Sequence, residues 1–370
     1  MLKRIYIDNY KCLVNFEVQL NQLNLFLGEN GSGKSTVFEA LRKLQTFISG
    51  ESKLDHLFLF TDRCRWQTAL VQTFELELIH PENNGLVRYH LVIEHTEEGD
   101  KTWIKEEGLS FQGSPLFSFE LGEVQLFRDD HSPGPKYPFD WARSGLAAIT
   151  PRSDNKRLTW FKNQIRNMVI TQIIPSVMQE EASERGESIP AKHLENFVSW
   201  YRILSQDQGS INRLTKVLQE VLEGFDSFKF DPYGARTILQ TRFFLGSLKT
   251  SVNFSFSELS DGQRMLITLY SLFEAARQGK TILCLDEPEN FVSLSEIQPW
   301  LNALRAMCDT ENTQALLISH HPEMIDLLAS HACWFERSNG LATRIHPLPT
   351  SGEGDLRVSE LIARRWLDHE

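Results

Sequence analysis

The chain has 370 residues, of which 41% are hydrophobic, enough to bury the core of one large domain with an inserted lobe. Its formal net charge of −11 argues against a surface coated for nonspecific nucleic-acid binding, although it is compatible with a local basic patch. No apolar run reaches the roughly 18 residues of a membrane span, and the five cysteines show no C-x-x-C spacing, so we expect a cytoplasmic protein without a signal peptide.

The first motif is a glycine-rich segment, residues 28–36, which fits the pattern G-x-x-x-x-G-K-[ST]. It lies between residues 23–27, which predict a short buried strand, and residues 37–41, which begin an amphipathic helix. In such a loop backbone amides wrap phosphates, Lys34 reaches the outer phosphates and the Ser35 hydroxyl binds Mg²⁺. The predicted phosphate-binding residues are Asn30, Gly31, Ser32, Gly33, Lys34, Ser35 and Thr36. A glycine-rich surface turn is the alternative, but the strand-loop-helix context favours the phosphate loop.

The hydrophobic pattern changes twice between this loop and residue 225. Residues 66–128 alternate as strands separated by turn signals, which predicts an antiparallel sheet. Residues 129–155 begin with a stretch rich in Pro and Gly and predict a linker. Residues 156–224 have helical periodicity without a sustained heptad pattern, which predicts a compact lobe of helices and excludes a long coiled coil.

The most basic stretch lies at the start of the predicted helical lobe. Its residues are Lys156, Arg157, Lys162 and Arg166, interleaved with Trp160 and Phe161. At helical spacing this pattern is more typical of a solvated helix face with two core aromatic residues, and contact with DNA is the alternative.

Two acidic residues follow an apolar run at residues 281–285, which predicts a central parallel strand. Acids at the carboxyl end of such a strand lie where open α/β sheets bind ligands. We therefore expect Asp286 to hold Mg²⁺, directly or through water, and Glu287 to orient and deprotonate an attacking water. A strand that happens to end in a solvated acidic turn is the alternative.

A third predicted strand, residues 315–319, is followed by His320. A histidine at this edge of the sheet can hydrogen-bond a terminal phosphate or the attacking water. Taken alone, it is more often an ordinary histidine at a strand end, but the order of phosphate loop, acidic strand and histidine favours the functional interpretation.

The order of these motifs, with the segment 259–264 before the acidic strand, resembles that of the ABC-type ATPases of the SMC, RecF and OLD class. The fold implied is α/β, an ABC-type P-loop ATPase head with an antiparallel β subdomain and an inserted helical lobe. In that family the signature segment of one subunit caps the ATP held by the other. The resemblance therefore implies ATP and Mg²⁺ as cofactors and a homodimer in which Ser260 and Gly262 act in trans. Gln263 begins a helix whose free amides favour an anion.

The resemblance implies further site residues. The opening strand of the family corresponds to residues 5–11 and suggests Lys11 as a nucleotide-binding residue. A glutamine that reaches Mg²⁺ and water is assigned to Gln72, with Gln67 as the alternative. Ser293 stands where most members carry an aspartate that signals between the two sites, which puts this communication in doubt.

The predicted domain boundaries follow from these patterns. The ATPase head comprises residues 1–65 and 225–350, the β subdomain 66–128, the linker 129–155, the helical lobe 156–224 and a C-terminal helix 351–370. OLD proteins carry a nuclease domain after this head, and the fifty residues after His320 (370 minus 320) are too few for one. We therefore expect any nuclease to be a separate chain.

The favoured hypothesis is an ATP-gated regulator in which two copies enclose ATP and hold or release a separate effector, such as a nuclease in phage defence. The sequence does not decide whether such dimers stack into larger assemblies. A RecF-like clamp that closes on duplex DNA is the alternative. A transporter subunit is disfavoured by the 226 residues between Lys34 and Ser260 (260 minus 34). A nucleotide sensor without turnover is disfavoured because Glu287 and His320 accompany Lys34.

Overall fold

The computed structural model describes residues 1–183, 186–233, 236–246, 250–279, 281–310, 313–348 and 356–364. The chain forms two compact units, Met1–Met168 with Ser330–Leu348 and Val169–Ala329 with Pro349–Glu370. Each unit combines two separate stretches of sequence, and the first boundary falls inside the predicted helical lobe. The units are thus a different division from the domain boundaries inferred from the sequence, which stay a prediction.

The first unit is built on an eight-stranded antiparallel sheet in the order β2-β1-β4-β5-β6-β7-β8-β9. Its strands are β1 (Leu2–Asp8), β2 (Phe16–Gln19), β4 (Val71–Ile79), β5 (Leu86–His95), β6 (Thr102–Phe111), β7 (Ser114–Glu120), β8 (Glu123–Phe127) and β9 (Pro133–Pro138). Side chains alternate across it: in β5, Val87, Tyr89 and Leu91 are fully buried while the residues between them are not. This confirms the predicted antiparallel sheet.

The sheet is larger than the sequence pattern indicated. It includes the opening strands β1 and β2, and at the other side it continues into β9, which lies in the stretch predicted to be a linker. Pro133, Pro135 and Pro138 have no amide hydrogen to donate, which suits an edge strand that pairs on one side only. The abundance of proline therefore marked the edge of the sheet.

The phosphate loop of the first unit is supported by a second group of elements. These are β3 (Leu23–Gly28), β17 (Ala332–Glu336), β18 (Arg344–Pro347), α1 (Lys34–Ser49), α2 (Leu54–Leu57) and α3 (Lys156–Arg166). Strand β3 is buried throughout and pairs in parallel with β17, which pairs antiparallel with β18. Helix α1 packs on α3, where Gln45 Nε2 donates to the carbonyl oxygens of Ile165 and Met168 at 2.9 and 2.7 Å. These bonds satisfy carbonyl groups at the end of α3.

The second unit contains a parallel arrangement of β10, β15 and β16 and an antiparallel sheet of β11, β12, β13 and β14. Its strands are β10 (Val169–Thr171), β11 (Glu181–Ala182), β12 (Phe225–Tyr233), β13 (Arg236–Leu245), β14 (Thr250–Ser255), β15 (Ile282–Asp286) and β16 (Gln314–Ile318). Its helices are α4 (Phe197–Leu204), α5 (Gln208–Val221), α6 (Asp261–Gly279), α7 (Leu294–Thr310), α8 (Pro322–Leu328) and α9 (Val358–Ala363). The mixed α/β class predicted from the sequence is confirmed.

The segment 156–224 contains the helices α3, α4 and α5, as its periodicity predicted, together with the short strands β10 and β11. Within the predicted C-terminal helix, α9 covers Val358–Ala363, while residues 351–355 and 365–370 lie outside the described residues. No helix in the described part of the chain has the length and apolar character to cross a bilayer.

Candidate functional site

The segment 28–36 joins β3 to α1, and glycine is required at both of its ends. Gly28 has φ 146°, and a Cβ atom there would lie 2.2 Å from the carbonyl oxygen of Phe335. Gly33 has φ 105°, and its Cβ would lie 2.6 Å from Oγ1 of Thr343. Only glycine accepts both the left-handed backbone and this close approach. The loop is therefore held against neighbouring backbone on one side.

Lys34 lies at the centre of the loop and is 6% exposed. Its Nζ donates to the carbonyl oxygens of Gly28 at 2.7 Å and Glu29 at 3.0 Å. Carbonyl oxygens are neutral acceptors, and the ammonium can exchange them for the charged oxygens of a phosphate, which form stronger hydrogen bonds. Its position is the one that a phosphate-binding lysine needs.

The remaining loop residues divide into an outer and an inner set. Asn30, Gly31 and Ser35 are exposed, Thr36 is half-buried and Ser32 is buried. The exposed set lies at the amino terminus of α1, where unpaired amides and the helix dipole favour an anion. The Ser35 hydroxyl is thus free of burial and can reach a ligand in front of the loop.

Thr343 braces this loop and was missed by the sequence analysis. Its side chain is 1% exposed, and its Oγ1 donates to the carbonyl oxygen of Ser32 at 2.7 Å. Its backbone amide donates to the carbonyl oxygen of Cys12 at 2.9 Å. Thr343, which directly precedes β18, therefore fixes both the phosphate loop and the turn after β1. A threonine between unremarkable neighbours gives no signal of such a role in the sequence.

Lys11, suggested as a nucleotide-binding residue, contacts helix α1 in this structure. Its Nζ lies 2.6 Å from a carboxylate oxygen of Glu39, which also accepts a hydrogen bond from the Tyr10 hydroxyl at 2.9 Å. Burial by itself would raise the pKa of Glu39, but the bonds from Lys11 and Tyr10 outweigh it and hold the pKa below its usual value. The role of Lys11 toward nucleotide stays a prediction.

Gln72, the first choice for the glutamine that reaches Mg²⁺, is enclosed in the antiparallel sheet. It is 0% exposed, its Nε2 donates to the carbonyl oxygen of Asn9 at 2.9 Å, and its Oε1 lies 3.0 Å from Nε2 of His95. Burial lowers the pKa of His95 to about 4, so this ring is neutral and donates to Gln72. Both polar atoms of Gln72 are thus occupied, which argues against it as a metal ligand. Gln67, the alternative, is half-buried in a loop.

The predicted acidic pair lies in the second unit, at the end of β15. Asp286 is the last residue of the strand, and Glu287 follows in a left-handed conformation with φ 51°. The amide of Glu287 donates to the carbonyl oxygen of Ile318 at 2.8 Å, and its Oε2 accepts from Asn290 Nδ2 at 2.8 Å. Both acids are half-buried. The Glu287 carboxylate is therefore oriented by its neighbours and still open to a small molecule.

A buried carboxyl group links the acidic loop to His320. Glu289 is 8% exposed, and its Oε1 accepts from Ser319 Oγ at 2.5 Å and from the His320 amide at 3.3 Å. Burial raises the pKa of Glu289, although these two bonds oppose the shift. The His320 side chain itself is exposed. Glu289 thus fixes the backbone from which His320 projects.

The segment 259–264 forms the start of helix α6. Ser260 Oγ accepts from the Gln263 amide at 3.2 Å, and Gln263 Oε1 accepts from the Ser260 amide at 3.0 Å. This reciprocal pair is a capping box. A Cβ on Gly262 would lie 2.8 Å from the carbonyl oxygen of Phe291, so this position is also restricted to glycine. The apolar positions expected to anchor the helix are all buried: Leu266, Leu269, Leu272 and Phe273.

Ser293, found where an aspartate was expected from the family pattern, begins helix α7. Its Oγ donates to Glu296 Oε2 at 2.5 Å, and its amide donates to the same oxygen at 3.0 Å. Ser and Asp are both favoured at helix amino termini. Serine therefore keeps the local structure but supplies no carboxylate.

The oxygen donors of Ser35 and Asp286 suit Mg²⁺ only when phosphate and water supply its other ligands. No three His, Cys, Asp or Glu side chains of the described residues are grouped so as to hold a metal ion. Mg²⁺ commonly takes one or two protein oxygens and completes its shell with phosphate and water. The Ser35 hydroxyl and the Asp286 carboxylate are oxygen donors of that kind.

Comparisons with known proteins bear on these motifs. Two family models match: an AAA ATPase domain over residues 1–107, and an AAA domain whose description also names the AbiEii toxin of Type IV TA systems over residues 186–326. No curated protein sequence matches the chain significantly.

The solved structures that are similar to the chain include two SMC heads. The SMC head domain from Thermotoga maritima is 14% identical, with a TM-score of 0.47, over 94% of this chain and 99% of that one. The SmcHead bound to the C-winged helix domain of ScpA is 10% identical, with a TM-score of 0.54, over 94% and 98%. The second similarity shows the fold.

Proposed function

We propose that this chain is an ABC-type ATPase of the SMC-like AAA class, which binds ATP with Mg²⁺, dimerises around the nucleotide and hydrolyses it. The observation that carries the proposal is Lys34. Its ammonium is buried among the carbonyl oxygens of a loop in which Gly28 and Gly33 have left-handed backbones. Phosphate oxygens of ATP would give it charged acceptors.

The hydrolytic step would use residues of the second unit. Glu287 would accept the proton of the attacking water, since its carboxylate is held by Asn290 and is still half-exposed. His320 would hydrogen-bond the terminal phosphate or that water. Ser35 and Asp286 would hold Mg²⁺, which when bound neutralises charge on the phosphates.

Dimerisation would bring the start of α6 onto the nucleotide of a second copy. Ser260 is exposed, and the capping box with Gln263 holds the helix terminus in shape. The side chain of Phe291, whose carbonyl oxygen lies against Gly262, is 56% exposed, and that of Leu294, three residues further along the chain, is 48% exposed. Exposed apolar side chains next to an anion-binding helix terminus suit contact with another protein surface.

The ATP-dependent dimer would gate a separate effector, such as a nuclease in phage defence. Of the four basic residues in the stretch 156–166, only Lys156 and Arg166 are exposed, which is a small basic surface for a DNA clamp. Lys162 Nζ donates to the carbonyl oxygens of Ala147 and Ile149, and Arg157 lies over the ring of Phe111 at 4.1 Å. We therefore prefer the regulator to the RecF-like clamp. All five cysteines are free thiols, which supports a cytoplasmic location.

Purified protein in Mg-ATP tests the enzymatic part of the proposal. Glu287→Gln should bind ATP and accumulate as a dimer, because an amide of the same size cannot take the proton of water. Ser260→Arg should bind ATP and stay monomeric. Light scattering gives the mass of each, and Glu323→Gln on helix α8 is the control. Hydrolysis by Glu287→Gln at the wild-type rate would refute its assignment.

Affinity purification of tagged Glu287→Gln protein in Mg-ATP tests the gating. A stoichiometric effector protein identified by mass spectrometry would support the regulator. Recovery of the ATPase alone with bound DNA would overturn it in favour of the clamp.

A further inference from the structure

Strand β14 (Thr250–Ser255) forms an open edge of the antiparallel sheet in the second unit. It pairs with β13 along one side over its whole length. Among the residues that the structure describes, no strand pairs with its other side. Thr250, Ser251 and Asn253 are exposed. An edge of this kind presents amide and carbonyl groups to any chain that can extend the sheet.

The hydrogen bonds around β14 define which of its backbone groups face outward. The amide of Ser255 donates to the Glu258 carboxylate at 2.6 Å and not to β13. Neighbouring residues of a strand direct their backbone groups to opposite sides, so the groups of Ser251 and Asn253 face the same way as those of Ser255. In β13 the amide of Phe244, the residue opposite Ser251, donates away from β14 to the turn before β12. Ser251 and Asn253 therefore offer their backbone groups to the open side.

The edge lacks the features that commonly prevent strands from pairing with another chain. Its sequence, TSVNFS, contains no charged residue and no proline, although 24% of the chain is charged. Strand β9, at the edge of the sheet in the first unit, has three prolines and Lys136. Prolines and charged side chains, lysine above all, protect edge strands from pairing. Strand β9 is thus protected, and β14 is not.

The sequence of β14 complements a second copy of itself. In an antiparallel pair centred on Asn253, each Ser251 is opposite a Ser255, and these polar side chains share one face of the sheet. On the other face each Val252 is opposite a Phe254, at a non-hydrogen-bonded position where side chains lie closest. Both apolar side chains are half-buried in one copy, so pairing covers more of their surface. The pair has two-fold symmetry, the commonest symmetry between identical chains.

We propose that β14 pairs antiparallel with β14 of a second copy, in the register centred on Asn253, and that this contact joins ATP dimers into larger assemblies. An edge of six residues is far smaller than a stable interface, which has roughly 20 to 30 residues on each side. One such contact is therefore weak, and it gains strength when each partner is a dimer with two edges. The joining of dimers rests on the proposed function, whereas the strand pair itself does not.

Disulfide cross-linking of the full chain tests the register. Asn253→Cys places two thiols across the two-fold axis, where opposed Cα atoms lie about 5.5 Å apart, a separation that a disulfide can bridge. Oxidised glutathione should therefore convert this variant to a covalent dimer on a non-reducing gel. Ser251→Cys is the matched control, because Ser251 is also exposed but would be opposite Ser255 and not its own counterpart. Equal cross-linking of the two variants would indicate random collision and overturn the register.

Asn253→Pro tests the backbone pairing. Proline removes the outward amide at an edge, where strands tolerate it, and leaves the bonds between β14 and β13 in place. Self-association in Mg-ATP, measured by analytical ultracentrifugation over a concentration series, should weaken about tenfold or more because two intermolecular hydrogen bonds are lost. Asn253→Ala is the matched control. Both variants lose the bond from Arg242 Nε to Asn253 Oδ1 at 3.3 Å, but alanine keeps the amide and should associate as the wild type does.

The outcomes separate this inference from the proposed function. If Asn253→Cys also cross-links when Lys34→Ala is introduced, the strand pair is supported independently of ATP. If the chain forms an ATP dimer and no larger species, and Asn253→Cys does not cross-link, the proposed function stands and the strand pair is refuted. If Asn253→Pro assembles as Asn253→Ala does, the strand pair is refuted as well. If Asn253→Cys cross-links but Mg-ATP joins no chains, the proposed dimer fails and the strand pair stands.

Discussion

Thr343→Val would test how far the phosphate loop depends on its brace. Valine has nearly the shape of threonine, so the change removes the hydroxyl that donates to the Ser32 carbonyl oxygen at 2.7 Å and preserves the packing. The site is closed to water, since Thr343 is 1% and Ser32 2% exposed. Losing one partner of a buried hydrogen bond costs about 1 to 3 kcal/mol. If the loop bears the whole cost, the affinity for ATP falls about five- to one-hundred-and-fiftyfold.

Calorimetric titration with Mg-ATP measures this loss, and chemical denaturation measures global stability in parallel. Thr343→Ser keeps the hydroxyl and should stay within about threefold of the wild type. We expect Thr343→Val to lose more affinity than Thr343→Ser. An affinity for ATP in Thr343→Val equal to that of the wild type would refute the view that this hydrogen bond holds the loop in its binding form.

Three further changes have defined outcomes. Lys34→Ala should weaken the binding of ATP by about 2 to 3 kcal/mol, because a charge-assisted contact is lost. Calorimetric titration measures this change, and an unchanged affinity would contradict the assignment of the phosphate loop. Glu289→Leu removes the oxygen that accepts from the Ser319 hydroxyl and the His320 amide. It should lower kcat more than it changes KM, because Glu289 positions His320 without touching substrate; an unchanged kcat, or a change in KM alone, would argue against this role. Burial raises the pKa of Glu107 from 4.5 to about 7, so its stabilising contribution is complete below pH 4.5 and is lost as pH rises through 7, by about 3 kcal/mol. Glu107→Gln should therefore remove most of the fall in unfolding free energy between pH 5 and 8, and an unaltered pH dependence in denaturation curves would refute the shift.

Linear motifs made much of this molecule predictable. The pattern around Lys34 specifies a strand, a tight loop and a helix at once, and the structure places β3 and α1 accordingly. The acids Asp286 and Glu287 belong to the end of a short apolar run that predicts a buried strand, and β15 occupies this position. In both places the proposed binding and catalytic residues are neighbours in sequence, so a short sequence pattern is sufficient to predict their local structure.

Contacts between distant parts of the chain were not predictable. Gln72 fits a functional glutamine by position, but its amide bonds across the sheet to His95, a pairing that no local pattern reveals. Thr343 and Glu289 act on backbone groups of Ser32 and His320, and many threonines and glutamates make no such bond. Such roles depend on burial and on strand register, which only the folded chain defines.

Capping of ATP in trans is the central claim, and mixing two variants tests it most directly. Lys34→Ala lacks the phosphate contact and Ser260→Arg blocks the cap and stays monomeric, so each variant alone should be inactive. A mixed dimer would join the intact loop of one subunit to the intact signature of the other, giving one complete site. The mixture should regain up to about half of the wild-type ATPase rate, since the only dimers formed are mixed and each has one of two sites. A mixture no more active than the two variants measured separately would contradict the shared site.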